Sequence, residues 1–511
     1  MKQVLSYVAE RRAVLDKHPL FDWVAQESVP LKDRLMFMPS MITFTMGFRD
    51  LNKWVLRYPL ARDDLQRGIN IHTFEDQTHS RLFLQDWRRL GLDDRLGWQA
   101  SDTLWWLFLS EANEVSRGHA IYFLSMATAD QDDPLLRFAH AEVIEACGSV
   151  FFNHVAKIAA QFEDQTKVEL PYLGPYHLAL ESGHMDCEDL FEEQELDDQR
   201  RRRAVELADA MFDIFFETFD TWLKNAQEFV TTGAAPRPRP SAAIQPSGVQ
   251  SSDEGVGDAP SARPRTDGPP HASQQAVQRL LEARKARTAE HPFYLWLHNR
   301  GQITALQALR RFLPMWAMDI MGYRDLNLYA MRYQQPQDDL AQVVNGWVDD
   351  LSTHNTLYLN DWRELDLDQL LGWSASDTLD FCYLDAQVDV HRRNIVRFTQ
   401  LAADHPEPLL RLWLMHALES TGDAWFENCR ILAREVEATT DIRLDYLGDR
   451  HEIAHRPVAP GAQASVLFKS RPMSAEQAEK VLVMIDTVFD AVDEQLDISL
   501  DVALSNKFDI P

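Results

Sequence analysis

The chain has no basic excess. Its 51 Lys and Arg stand against 79 Asp and Glu, a formal net charge of −28 over 511 residues. A nucleic-acid surface needs a basic face to displace counterions, so this balance argues against a nucleic-acid partner. Acidity of this kind otherwise reports little more than solubility. Cysteine is scarce as well. Cys147, Cys187, Cys382 and Cys429 are scattered and form no CxxC pair, which argues against a disulfide framework or a zinc ribbon and fits a reducing compartment. Glu10-Arg11-Arg12 arrives before any apolar run long enough for a signal peptide. No uninterrupted apolar stretch reaches membrane-spanning length. Convincing period-two runs between turn signals are absent too, so strands are not expected. These absences together predict a soluble, cytoplasmic, helical protein with no membrane partner.

What is present is an ordinary globular balance, 45% hydrophobic and 25% charged. The length exceeds what one hydrophobic core usually supports, so two or more domains are expected. Residues from about Thr232 to Ser273 are dominated by Pro, Gly, Ala, Ser and Arg, as in Pro236-Arg-Pro-Arg-Pro. Such a segment buries too little apolar surface to offset its ordering entropy and reads as a flexible linker over 232–273.

The flanks, 1–231 and 274–511, align with each other. His18-Pro-Leu-Phe matches His291-Pro-Phe-Tyr, and Met46-Gly-Phe-Arg-Asp-Leu-Asn matches Met321-Gly-Tyr-Arg-Asp-Leu-Asn. Asp86-Trp87 matches Asp361-Trp362, Pro134-Leu-Leu-Arg matches Pro408-Leu-Leu-Arg, and Tyr172-Leu-Gly matches Tyr446-Leu-Gly. The offset stays between 273 and 275 throughout, which chance would not sustain. The chain is a tandem duplication. Within each copy the period is helical: Leu207, Met211, Phe215 and Trp222, with Ala208, Phe212 and Phe219 beside them, form an apolar stripe. Asp133-Pro134 and Ala100-Ser101-Asp102 read as helix starts. Each half is therefore expected to be an all-α bundle.

Three stretches of the first copy carry chemistry. In His72-Thr-Phe-Glu75-Asp76-Gln-Thr-His79, spacings of three, four and seven place the ionisable side chains on one helical face. A solvated polar face is the alternative, although Ile71, Phe74, Leu82 and Phe83 favour a packed helix. In His140-Ala-Glu142-Val-Ile-Glu145, two carboxylates sit in an apolar segment, where burial is costly without a partner or a metal. Glu145 aligns with Glu419 whereas Glu142 aligns with His416, so Glu145 is the preferred ligand and Glu142 the reserve. Finally, His177-x-x-x-Glu181-x-x-His184 puts three ligand-type side chains on one face. Mixed imidazole and carboxylate ligation suits iron or manganese rather than structural zinc, and inward carboxylates and His on bundle helices are how di-iron centres are built.

These motifs resemble the haem-oxygenase-like di-iron oxidases and oxygenases, helical domains whose core helices supply a carboxylate and His, then a Glu, then His-x-x-x-(Asp/Glu)-x-x-His. His177, Glu181 and His184 match the last element, Glu145 the middle Glu and His79 the first His. Asp76 and Glu75 both remain candidates for the first carboxylate. At the next turn upstream stands His72, where some relatives have Glu. The resemblance covers most of residues 10–230. It implies two irons, O₂ as co-substrate, a small amino-acid-like or fatty-acid-like substrate, and room for an external electron donor. N-oxygenation, desaturation and oxidative C–C cleavage are all open.

The second copy keeps His354, Glu419 and His451, but has Leu351 for Asp76, His455 for Glu181 and Val458 for His184. It reads as degenerate, an intramolecular partner replacing the second subunit of a homodimer. The haem-using and thiaminase-like branches of the fold would leave the His177–Glu181–His184 spacing unexplained. A non-catalytic helical scaffold with salt-bridged polar clusters is the alternative from another class. The shared Gly-(Phe/Tyr)-Arg-Asp-Leu-Asn motif survives in the copy without the ligand set, so a structural Arg–Asp pair is expected there.

Overall fold

A computed structural model describes residues 1–181, 188–233, 272–351, 353–454 and 471–510. Most of the expected linker, residues 234–271, lies outside the described residues, as does Cys187. The chain is all-helical, with 79% helix and no strand among the described residues. Helices recur in the same order in both copies. Asp64–Asp76, His79–Arg89, Glu114–Ala129 and Pro134–Thr166 correspond to Asp339–Leu351, His354–Glu364, Asp389–Asp404 and Pro408–Thr439.

Local chemistry sets the helix ends. Asp133 accepts the Leu135 N–H at 3.0 Å, capping a helix that opens on Pro134. The Ala100–Phe108 helix starts where expected, with a capping box in which Asp102 accepts the Gln99 N–H at 3.3 Å. The predicted stripe from Leu207 to Trp222 is buried along the Asp198–Thr232 helix. Directly after each Gly-(Phe/Tyr)-Arg-Asp motif the helix widens into a π turn, Leu51–Leu56 and Leu326–Met331. A wide turn leaves carbonyls poorly satisfied, and an arginine answers each: Arg137 donates to the Leu56 carbonyl and Arg411 to that of Met331. The two guanidinium groups lie over Tyr58 and Tyr333, at 3.9 and 4.4 Å from the ring centres.

The apolar helix Pro134–Thr166 departs from the expectation about long apolar runs. It is long and apolar enough to cross a membrane, yet 56% of its apolar window is buried within the protein, as in a core helix. Cys147, Cys382 and Cys429 are buried as free thiols.

The buried apolar residues of both copies join in one continuous cluster. At the contact, the Glu114–Ala129 helix lies against the Asp389–Asp404 helix. The polar contacts there are reciprocal. Arg392 reaches Asp50 at 3.0 Å, and its counterpart Arg117 reaches Asp325 at 3.3 Å. The Ser376 N–H donates to Asp93 and the Ser101 N–H to Asp368, each at 2.9 Å. Each of those aspartates also accepts an indole N–H from its own copy, Trp87 or Trp362, at 2.8 Å. The Arg–Asp pair expected within the shared motif is thus formed chiefly between copies: Asp50 and Asp325 each take an arginine from the other half. Arg49 likewise crosses to Asp389 at 2.8 Å.

Breaking a buried pair strands the remaining charge, typically at a cost of about 3–5 kcal/mol. Arg392→Ala, which strands Asp50, is expected to lower stability by about that amount in denaturant titrations. Arg200→Ala, at the exposed pair with Asp133, should stay within about 1 kcal/mol. A loss at Arg392 as small as that at Arg200 would contradict the role given to the crossing pairs.

Candidate metal centre

The first expected ligand stretch does not run as one helix. The Asp64–Asp76 helix ends, Gln77 and Thr78 form a turn, and a new helix begins at His79. Arg57, just past the π turn, holds that end. It donates to the Thr73 carbonyl at 2.8 Å and to Gln77 Oε1 at 3.3 Å, a cation where the helix dipole is negative. The break corrects the single-face reading. Ile71 and Phe74, expected to pack, are 55% and 62% exposed, and Glu75 is exposed beside them. Asp76 turns inward and is 2% exposed.

Asp76 meets His72 and Glu145. His72 Nε2 lies 3.3 Å from Asp76 Oδ2 and 3.5 Å from Glu145 Oε1. One ligand atom from each residue lies within 4.8 Å of the others. Metal bonds of about 2.0–2.2 Å place neighbouring ligand atoms on one ion roughly 3.0–3.5 Å apart. The two measured separations fall in that span, and all three ligand atoms lie within 4.8 Å, close enough for one ion to reach a His and two carboxylates. His72 is outside the ligand set expected from the sequence. Its spacing of four from Asp76 was the signal available.

Around the turn, His79 faces His177, which the short helix Pro175–Glu181 carries. Their ring centres are 4.4 Å apart and the rings nearly perpendicular. His177 is fully buried, stacked on Tyr172 and edge-on to Phe152. Its placement is fixed upstream. Asp86 accepts the N–H groups of Tyr172 and Leu173 at 3.2 and 2.8 Å, and Glu163 accepts that of Leu170 at 2.7 Å. Gly174 completes the bend, because a Cβ there would collide with the Leu170 carbonyl oxygen. The second copy repeats every part, with Asp361 on Tyr446 and Leu447, Glu437 on Leu444, and Gly448 against Leu444. The shared Tyr-Leu-Gly therefore anchors the approach to the histidine helix.

Of the remaining candidates, Glu142 is half-buried on the Pro134–Thr166 helix and outside the His72 trio. The Glu181 side chain and all of His184 lie outside the described residues.

No protein-family model and no curated protein matches this chain.

At the equivalent place in the second copy, Trp347 stands where the first has His72. Its indole N–H donates to Glu419 Oε1 at 2.7 Å, and Leu351 replaces Asp76. His354 and His451 still face each other, with Nε2 atoms 3.0 Å apart. Beside them opens a cavity of about 520 Å³. It contains Asp319, which aligns with Phe44 of the first copy and is 2% exposed. Burial pushes the Asp319 carboxyl up to about 7, with the hydrogen bond from Gln495 at 2.9 Å opposing only part of the rise.

A carboxyl whose pKa is raised by folding binds its proton more tightly folded than unfolded. Its contribution to stability therefore falls as pH rises from about 4 to about 7. Asp319→Asn keeps the acceptor for Gln495 and removes this titration. The variant should gain in melting temperature relative to wild type between pH 4.5 and pH 7.5; an unchanging difference would contradict the assignment.

Proposed function

We propose that the first copy is a non-haem di-iron, O₂-dependent oxidoreductase acting on a small organic substrate. The observation that carries this reading is the convergence of His72, Asp76 and Glu145 from two helices. The facing His79 and His177 supply two further imidazoles from a third and a fourth. In this reading His72, Asp76 and Glu145 hold one ion, His79 and His177 contribute to the binuclear set, and the sequence motif adds Glu181 and His184. Glu75, exposed, has no part in it. Bound iron supplies the single-electron chemistry that O₂ reduction requires.

The chain's own residues do the rest. Asp86, Glu163 and Gly174 orient the His177 segment. Asp76 and Glu145 offset the positive charge the site would hold, and Phe152 and Tyr172 screen His177 from water. The second copy, in which Trp347 occupies a ligand position, acts as the fused partner of the first and has no oxidase centre of its own. The chemistry of the site leaves the choice among N-oxygenation, desaturation and C–C cleavage open, and an external donor of electrons fits each. The trio would also be stable as a salt-bridged cluster, as in a purely structural scaffold, and iron binding separates the two readings.

Under anaerobic conditions the full chain should take up about two ferrous ions, as di-iron bundles do. His72→Ala and Glu145→Gln should each weaken uptake by roughly tenfold or more, since even outer partners of metal ligands are worth about 10–100-fold. Admitting O₂ should produce an optical transient in wild type that His184→Ala lacks. No saturable iron uptake by folded wild type would favour the scaffold.

A further inference from the structure

The cavity of the second copy has been rebuilt rather than filled. Its walls include Trp316, Tyr323, Trp347, Trp425, Phe426 and Tyr446. The volume of about 520 Å³ lies within the range of about 300–1,000 Å³ usual for small-molecule sites. At the aligned position of the first copy stands Phe44, whose ring meets those of Phe123, Phe215 and Trp222. The second copy puts the shorter, acidic Asp319 there.

Charge on the lining has one sign in excess. Asp319, Glu419, Asp423 and Glu427 face a single cationic side chain, Arg430, among the described lining residues. Arg430 itself approaches Asp449 at 3.8 Å. Lys285 lies 2.9 Å from Asp423, at the exposed rim. Asp319, by contrast, has Gln495 as its hydrogen-bond donor and no arginine or lysine in contact among the described residues. An acid buried without a cation is costly, and a cavity walled by π faces is a poor home for an anion. Both features suit a positively charged guest, which gains from the ring quadrupoles and from the carboxylate together.

We propose that the second-copy cavity is a binding site for a small organic cation of the alkylammonium class, with Asp319 as its counter-charge and the aromatic walls as its cage. The site stands independently of whether the first copy holds iron. It gives the second copy a ligand of its own, beside His354 and His451.

The test uses the full chain, iron-free, with choline, tetramethylammonium and benzylamine as probes. Dimethylbutanol, the neutral carbon isostere of choline, is the control. Tryptophan fluorescence reads occupancy directly, because Trp316, Trp347 and Trp425 line the cavity. At least one cation should saturate the signal, and dimethylbutanol should bind roughly tenfold or more weaker than choline. Asp319→Asn, which retains the Gln495 contact, should abolish the preference for charge without unfolding the protein. Glu145→Gln, in the first copy, should leave cation binding unchanged. Equal affinity for choline and its neutral isostere would overturn the proposal. So would full cation binding by Asp319→Asn, or no saturable response to any of the three cations in folded wild type.

Discussion

Asp50 and Asp325 are each buried in one copy and neutralised by an arginine of the other. A carboxylate removed from water is costly without a counter-charge in reach, and the shorter contact to each comes from the other half, with Arg49 and Arg324 of their own copies further off at 4.0 and 3.8 Å. The two π turns, the widened helix ends and the paired Glu114–Ala129 and Asp389–Asp404 helices all lie around these crossings. The fused arrangement therefore has a physical reason beyond the linker. The motif Gly-(Phe/Tyr)-Arg-Asp-Leu-Asn survives in both copies because each needs it to hold the other.

With that frame fixed, the copies were free to diverge at the inner ends of the same helices. Where the first has His72 and Asp76 beside Glu145, the second has Trp347 and Leu351 beside Glu419. The indole N–H gives the retained carboxylate a neutral hydrogen-bond donor in place of an imidazole. The anchor that presents the histidine helix is unchanged, from Asp86 and Gly174 to Asp361 and Gly448. The two copies thus share the scaffold and exchange the inner residues.

Much of this was legible in the sequence because it is local or periodic. The duplication, the helical class and the stripe from Leu207 to Trp222 follow from spacing alone, as does the candidacy of Glu145. Other features depend on contacts remote in sequence and left no local trace. The turn at Gln77 and Thr78 separates Asp76 from His79 and exposes Glu75, and Arg57 stabilises it from an earlier segment. Asp50 was expected to pair within its motif, but its stronger partner lies in the other copy. His72 stands one turn before Asp76, but a His where some relatives have Glu gives no direct match to the motif the resemblance rests on. Asp319 gave no signal, since one acid in an apolar helix is ordinary until the cavity around it is seen.

The proposed two-iron centre has His72, Asp76 and Glu145 around one of its irons. Mössbauer spectroscopy of the full chain, loaded anaerobically with enriched ferrous iron and then exposed to O₂, tests it most directly. The account predicts about two irons per chain that end as an exchange-coupled ferric pair, lost in both His72→Ala and Glu145→Gln. Iron that stays mononuclear and uncoupled, or that binds equally well to those variants, would contradict it.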